Sequence, residues 1–176
     1  MGHDGLPLAS FVALDELELD CLLETVATFT RRLFERAAVA FMVAEGDGPL
    51  ALHAALATIL IEAAGAPELT YMSVIELPRL GPPAHERHAR MIGLFGELLA
   101  GGFAAMDRPP PNADTLTLCL GGSVWETMRR HAAERRLHEL PEALPALSYV
   151  CVSTLYGSEE ARRVNALGRH VDRPAA

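Results

Sequence analysis

The segment from Ala143 to Ser158, near the end of the chain, contains no charged residue. If it is helical, one stripe of large side chains runs along it, and small or β-branched apolar residues fill its other sides. The stripe consists of Leu140, just before the segment, and of Leu144, Leu147, Cys151 and Leu155 within it, and the other sides carry Ala143, Ala146, Val150 and Val152. A helix that is apolar all round must be covered on every side. A short chain has few helices to surround it, so we expect a second copy to supply part of the cover; the alternative is full burial within one subunit.

The rest of the chain also has the pattern of helices. A length of 176 residues fits one domain, and 50% hydrophobic with 22% charged residues excludes a disordered chain. Alternation of β-branched residues is missing, while Ala, Leu, Glu and Arg dominate between prolines and glycines. The sequence therefore predicts an all-α fold, a single antiparallel helical bundle of about six to seven helices.

Capping residues and prolines set the expected helix limits. The predicted helices are Asp15–Ala44, Pro49–Ala64, Pro67–Leu77, Pro83–Ala100, a helix from Asn112 or Asp114 to Leu137, and the apolar helix from Pro141 or Pro145. Glu159 and Glu160 suit the start of one more helix, because acidic side chains interact favourably with a helix N-terminus.

Charge and composition exclude several classes of function. The net charge of -8 opposes binding to nucleic acid, whose affinity comes from phosphate neutralisation by basic residues. No uncharged run reaches the roughly 20 residues that span a bilayer, and "MGHDGLPLAS" lacks the features of a secretory signal. We expect a cytoplasmic protein without membrane contact. Cys21, Cys119 and Cys151 lack CxxC spacing, which predicts buried free thiols.

Motifs for catalysis are missing from the sequence. His85 and His88 lie three residues apart, whereas the zincin motif needs four and an adjacent glutamate. There is no GxSxG, GxxxxGK or GxGxxG. We therefore expect no enzymatic activity, no metal and no cofactor. A helical-bundle metalloenzyme that uses His85 and His88 is the least favoured alternative.

Function is expected to depend on a cavity instead. Helical phase points a set of large or polar side chains inward, and these are the candidate lining of an effector pocket: Phe29, Leu33, His53, Met72, Glu76, Met91, Phe95, Trp125 and Met128. The alternative for each is ordinary core packing, and for Glu76 a position in solvent at the helix end. The Met and Phe residues together with Glu76 predict an apolar, weakly cationic ligand.

Two stretches carry a resemblance to a known family. "GGSVWETMRRHAAERRLHELPEALPALSYVCVSTLYGSEEA", residues 121–161, resembles a segment of TetR/AcrR-type transcriptional regulators with a Gly-Gly-x-Val-Trp helix, an Arg- and His-bearing exit, a Leu-Pro step and a closing Gly-x-Glu-Glu-Ala. "LASFVALDELELDCLLETVATF" is similar to the family's stretch that finishes the DNA-reading unit and enters the long connecting helix. The similarity covers about Leu8 to Leu167, and the 121–161 block is its distinctive part.

The resemblance implies an effector-binding and dimerisation domain over residues 15–168, an N-terminal remnant over 1–14 and a flexible tail over 169–176. The last two long helices would pair with their copies in a four-helix dimer core, and the earlier helices would enclose a pocket. The candidate dimer interface consists of Gly121, Gly122, Trp125, Ala132, Leu144, Leu147, Val150, Cys151 and Leu155. Trp125 could belong to the interface or to the pocket floor.

The family's helix-turn-helix unit needs roughly 50 residues before the connecting helix, and only about 14 precede Asp15 here. We therefore assign DNA binding to no residue of this chain. The resulting hypothesis is a homodimeric regulatory domain that senses a small, largely apolar effector, with DNA reached through a missing unit or an intact partner. The alternative is a stand-alone binding protein that forms heterodimers with an intact regulator.

Overall fold

The structure, a computed structural model, describes residues 16–44, 46–79, 89–90, 93–99, 103 and 110–171. The helices are α1 (Glu16–Val43), α2 (Gly48–Gly65), α3 (Pro67–Tyr71), α4 (93–99), α5 (Ala113–Ala133), α6 (Leu144–Tyr156) and α7 (Ser158–Val171). No strand occurs in these ranges. The predicted all-α bundle is confirmed. The proposed remnant 1–14, the tail from residue 172 and residues 83–88 of the predicted fourth helix lie outside the described residues.

The first two helices pack side by side and begin and end within about a residue of the predicted limits. The Asp47 side chain accepts a hydrogen bond from the Leu50 amide (3.0 Å), and Pro49 occupies the first turn of α2. This cap fixes where α2 starts. One face of the helix is buried along its length and consists of Ala51, Leu52, Ala55, Leu56, Ile59, Leu60 and Ala63.

Among the described helices, α2 alone has the length and apolar composition to cross a membrane. In this structure it packs against α1, α6 and the 3-10 turn Leu137–Ala143. Its apolar composition is therefore accounted for by its position in the centre of the bundle.

The chain from Pro67 to Arg79 changes helical geometry twice. The predicted helix through Leu77 is an α-helix only to Tyr71; a π-helical turn, Met72–Glu76, and a 3-10 turn, Leu77–Arg79, follow. Pro78 cannot donate a backbone hydrogen bond, which favours the end of regular helix here. The Thr70 hydroxyl donates to the Ala63 carbonyl (2.8 Å) and so ties α3 to the end of α2.

The predicted helix to Leu137 ends four residues earlier, at Ala133. Arg135 adopts a positive φ of 57°, which reverses the chain, and the 3-10 turn Leu137–Ala143 contains Pro141. Regular α-helix resumes at Leu144 with Pro145 in its first turn, so Pro145 marks the start of α6. Gly157, with φ of 94°, then separates α6 from α7.

The apolar helix α6 is covered on one side by its own subunit. Leu147, Ser148, Cys151 and Val152 are buried, chiefly against α2 and α7. The opposite side is open: Ala146, Tyr149, Val150 and Thr154 are exposed. A single subunit thus covers roughly one face of this helix, and its remaining apolar surface faces outward.

Candidate ligand-binding site

A partly open cavity of about 40 Å³ lies within the bundle, where α1 to α5 and the π-helical turn Met72–Glu76 meet. Helical spacing explains how α5 forms one wall, because Gly121, Val124, Trp125 and Met128 recur at intervals of three and four residues. The other walls are supplied by Phe29, Thr30, Leu33, Phe34, Ile59, Ala63, Thr70, Ser73, Val74 and Phe95.

The cavity wall is apolar apart from three hydroxyl groups, and none of the described lining residues is charged. Thr30 donates to the Val26 carbonyl (2.9 Å), Thr70 to Ala63 and Ser73 to the Leu69 carbonyl (2.7 Å). A hydroxyl oxygen that donates its proton still has lone pairs that can accept. The arrangement suits an apolar group and offers weak acceptors to a donor.

Five of the nine predicted pocket residues come together at this cavity: Phe29, Leu33, Phe95, Trp125 and Met128. Sequence reasoning missed Phe34, although it adjoins Leu33 and its ring packs edge to face on Phe95 with centroids 6.5 Å apart. It also missed Thr30, Thr70 and Ser73, whose short polar side chains give no periodic signal. Met91 lies outside the described residues.

Two of the remaining predicted residues lie elsewhere in the bundle. The His53 Nδ1 is 2.8 Å from the Ser148 Oγ, a hydrogen bond that joins α2 to α6, and partial burial lowers the pKa of His53. Ser148 is fully buried, which makes this pair a tie between helices rather than an accessible nucleophile and base. Met72 packs on a separate small cluster that contains Leu23, Val26 and Leu77.

Glu76 is buried, with 4% of its surface exposed, and it has partners. Its Oε1 lies 3.5 Å from the Arg79 Nη1. Burial raises the pKa of Tyr71, and the Glu76 carboxylate raises it further. Because Glu76 does not line the cavity, it gives no support to the expectation of a cationic ligand.

Four of the predicted dimer-interface residues are buried within their own subunit: Gly121, Ala132, Leu147 and Cys151. Burial raises the pKa of the Cys151 thiol to about 11. The stripe that the sequence analysis placed in the interface is the inner face of α6. Both faces of this helix are apolar, so composition alone did not show which face is turned outward.

The remaining interface candidates differ in exposure. Leu144, Leu155 and Trp125 are half-buried against the core, and Gly122 is half-buried. Val150 is 47% exposed, beside the exposed Tyr149. Of the predicted dimer-interface residues, Val150 therefore lies on the outward face of α6.

The structure also bears on the thiols and on metal binding. Cys21 and Cys119 are exposed, so the prediction of buried thiols is wrong for both and right for Cys151. Within the described ranges, no three His, Cys, Asp or Glu side chains are grouped as metal ligands would be. His85 and His88 lie outside those ranges.

An open groove of about 620 Å³ runs along the surface between α1 and α2. Phe29 and Leu33 line both this groove and the inner cavity. An ion pair between Arg36 and Glu62 joins the two helices at the groove. The other lining residues are Arg32, Glu35, Val39, Ile61, Gly65 and Ala66.

Comparison of the chain with protein-family models, with curated protein sequences and with solved structures found no significant match. The fold and the cavity geometry are therefore the basis for any functional conclusion.

Proposed function

We propose that the protein is a cytoplasmic ligand-sensing and dimerisation domain of a TetR-like transcriptional regulator, and that its effector is a small, largely apolar compound. The observation that carries this proposal is the apolar cavity between α1, α2 and α5, with Trp125 and Met128 in its wall. DNA contact is assigned to none of the described residues, since the net charge of -8 opposes it.

The cavity volume of about 40 Å³ is well below the roughly 300–1,000 Å³ of typical small-molecule sites. An effector must therefore move part of the wall as it binds. Ser73 and Val74 line the cavity from the π-helical turn Met72–Glu76, and π-turns are frequent at functional sites. This turn is the part of the wall that we expect to yield.

Movement of the wall supplies the regulatory step. Phe29 and Leu33 sit midway along the 28-residue helix α1, so a ligand that pushes them away from α5 displaces the whole helix. The ligand shifts the equilibrium between two positions of α1 by its difference in affinity for them, typically about 1–3 kcal/mol.

Binding can be followed through Trp125, because it is the one tryptophan of the chain and lines the cavity. We expect toluene and 1-octanol to change its fluorescence emission saturably. Ala63→Val places two methyl groups in the cavity and should abolish the change. Ala54→Val, half-buried on the same helix and outside the cavity, should bind like the unmodified protein. A response that never saturates, or that Ala63→Val leaves unchanged, would contradict the proposal.

The second part of the proposal is a homodimer that covers the outward face of α6. Tyr149 and Val150 are exposed there, and twofold dimers are the commonest oligomers. Val150→Glu should convert the dimer to monomer in light scattering, because it places a charge in an apolar seam. Val43→Glu, at an 82%-exposed position at the end of α1, is the matched control and should leave the dimer intact. A dimer that survives Val150→Glu would place the interface elsewhere.

A further inference from the structure

The groove between α1 and α2 and the inner cavity are adjacent, and one pair of side chains separates them. Phe29 and Leu33 line both spaces. Leu33 is 7% exposed and Phe29 is half-buried. A ligand that passes from the groove into the cavity must therefore pass these two side chains.

The two spaces differ in chemistry. The inner cavity has an uncharged, almost wholly apolar lining, whereas the groove combines apolar Val39 and Ile61 with charged side chains. An elongated molecule that occupied both would need an apolar portion inside and a polar end outside. Such a molecule is an amphiphile.

Two arginines of the groove are helical neighbours of the partition, because Arg32 follows Phe29 by three residues and Arg36 follows Leu33 by three. The Arg36 charge is paired with Glu62 across the groove. Arg32 forms no ion pair with any residue that the structure describes. A guanidinium group in this position is suited to pair with a carboxylate.

We propose that the groove is the outer half of the ligand site and that the ligand is an elongated amphipathic anion. Its apolar chain passes Phe29 into the cavity, and its anionic end stays in the groove against Arg32. This inference rests on the proposed function, because it names the ligand class of the same site. It also makes Phe29 the gate between the groove and the cavity.

The test compares octanoate with 1-octanol, which have similar chains and differ in the charge of the end group, through the fluorescence of Trp125. Arg32→Gln should weaken octanoate binding on the order of tenfold and leave 1-octanol binding unchanged. Arg31→Gln is the matched control: Arg31 is the adjacent exposed arginine, it contacts Thr28 and it does not line the groove. It should leave the binding of both probes unchanged.

A third variant tests the gate. Phe29→Leu keeps an apolar residue but shortens the partition, and stopped-flow mixing should show faster association of octanoate than with the unmodified protein. Circular dichroism checks that each variant is folded. Equal association rates would remove Phe29 as the gate.

The possible failures are distinguishable. If 1-octanol binds saturably but Arg32→Gln and Arg31→Gln weaken octanoate equally or not at all, the anionic subsite is overturned and the proposed function stands. Tighter binding of octylammonium than of octanoate would also overturn it. If none of these probes changes Trp125 emission saturably, the proposed function fails as well.

Discussion

The two halves of α2 lie in different surroundings. Ile59 and Ala63, towards its C-terminal end, line the cavity, whereas Leu52 and Ala55, nearer its start, are fully buried in closely packed core. The same helix therefore borders the cavity towards one end and the hydrophobic core towards the other. Helix propensity and apolar composition are similar in both halves, so the difference arises from the elements that pack against each half.

Polar contacts differ between the two regions in the same way. Around the cavity, Thr30 and Ser73 donate to carbonyls of their own helical segments, and Thr70 alone of the three hydroxyl groups bonds to a different helix. In the packed region, side chains join separate elements: His53 meets Ser148, Asp47 pairs with Arg163 (2.7 Å), and Asn165 donates to the Pro145 carbonyl (2.8 Å). Side-chain hydrogen bonds thus join the helices of the packed region to one another. We expect the cavity walls to move relative to this region.

The largest expected effect tests whether the packed region is the main source of stability. Leu140 is fully buried in the 3-10 turn before α6, so Leu140→Ala should lower the free energy of unfolding by about 2–5 kcal/mol. Met128→Ala should cost roughly half as much, because Met128 is half-buried and already borders empty space. Urea unfolding monitored by circular dichroism measures both. Equal losses would show that the two regions are equally well packed.

A pair of alanines on α2 sharpens the same comparison by adding volume. Ala55 and Ala63 are both fully buried on this helix, and Ala63 alone of the two lines the cavity. Ala55→Val should destabilise by about 1–3 kcal/mol, because the added methyl groups overfill a packed site. The same change at Ala63 should cost under about 1 kcal/mol, since there is space for them. Thermal unfolding would reveal the difference, and a greater loss at Ala63 would mean that the cavity is filled in solution.

Much of the fold was predictable because local signals and the tertiary structure agree. Pro49 and Pro67 mark helix starts by proline's fixed geometry, and the structure follows them. The end of α5 was not predictable in this way. Arg135 takes a left-handed conformation that usually signals glycine, so the sequence continues to look helical up to Leu137. The wide turn at Met72–Glu76 likewise has no glycine to mark it.

The candidate site was predictable only in part, for a physical reason. Periodicity identifies which side chains point inward, and so it found Phe29, Trp125 and Met128, but it does not distinguish a cavity wall from filled core. Whether space remains depends on how neighbouring helices fit together. For α6 the limit was different, because an apolar residue on each face left no polar contrast to show that Leu147 turns inward and Val150 outward.

The smallest expected effect concerns the polar contacts of the packed region, at Asp47. Its Oδ1 accepts hydrogen bonds from the Leu50 amide and from Arg163 on α7, and the contact with Arg163 is the main reason that the pKa of Asp47 is lowered. Asp47→Ala removes the cap and the ion pair and should cost about 0.5–2 kcal/mol. Asp47→Asn keeps a good capping group and loses the charge alone, which should cost under about 1 kcal/mol for so exposed a pair.

Acid titration separates the two contributions of Asp47. Because the folded-state pKa is below the ordinary value of 3.8, the carboxylate's charge stabilises the fold above that pH and ceases to do so as the pH falls through the folded-state pKa. The difference in unfolding free energy between the unmodified protein and Asp47→Asn should therefore vanish at low pH. The difference between Asp47→Asn and Asp47→Ala should persist, since an amide cap does not titrate. If neither difference varies with pH, the pairing of α2 with α7 through Arg163 contributes no stability, and the cap alone accounts for the role of Asp47.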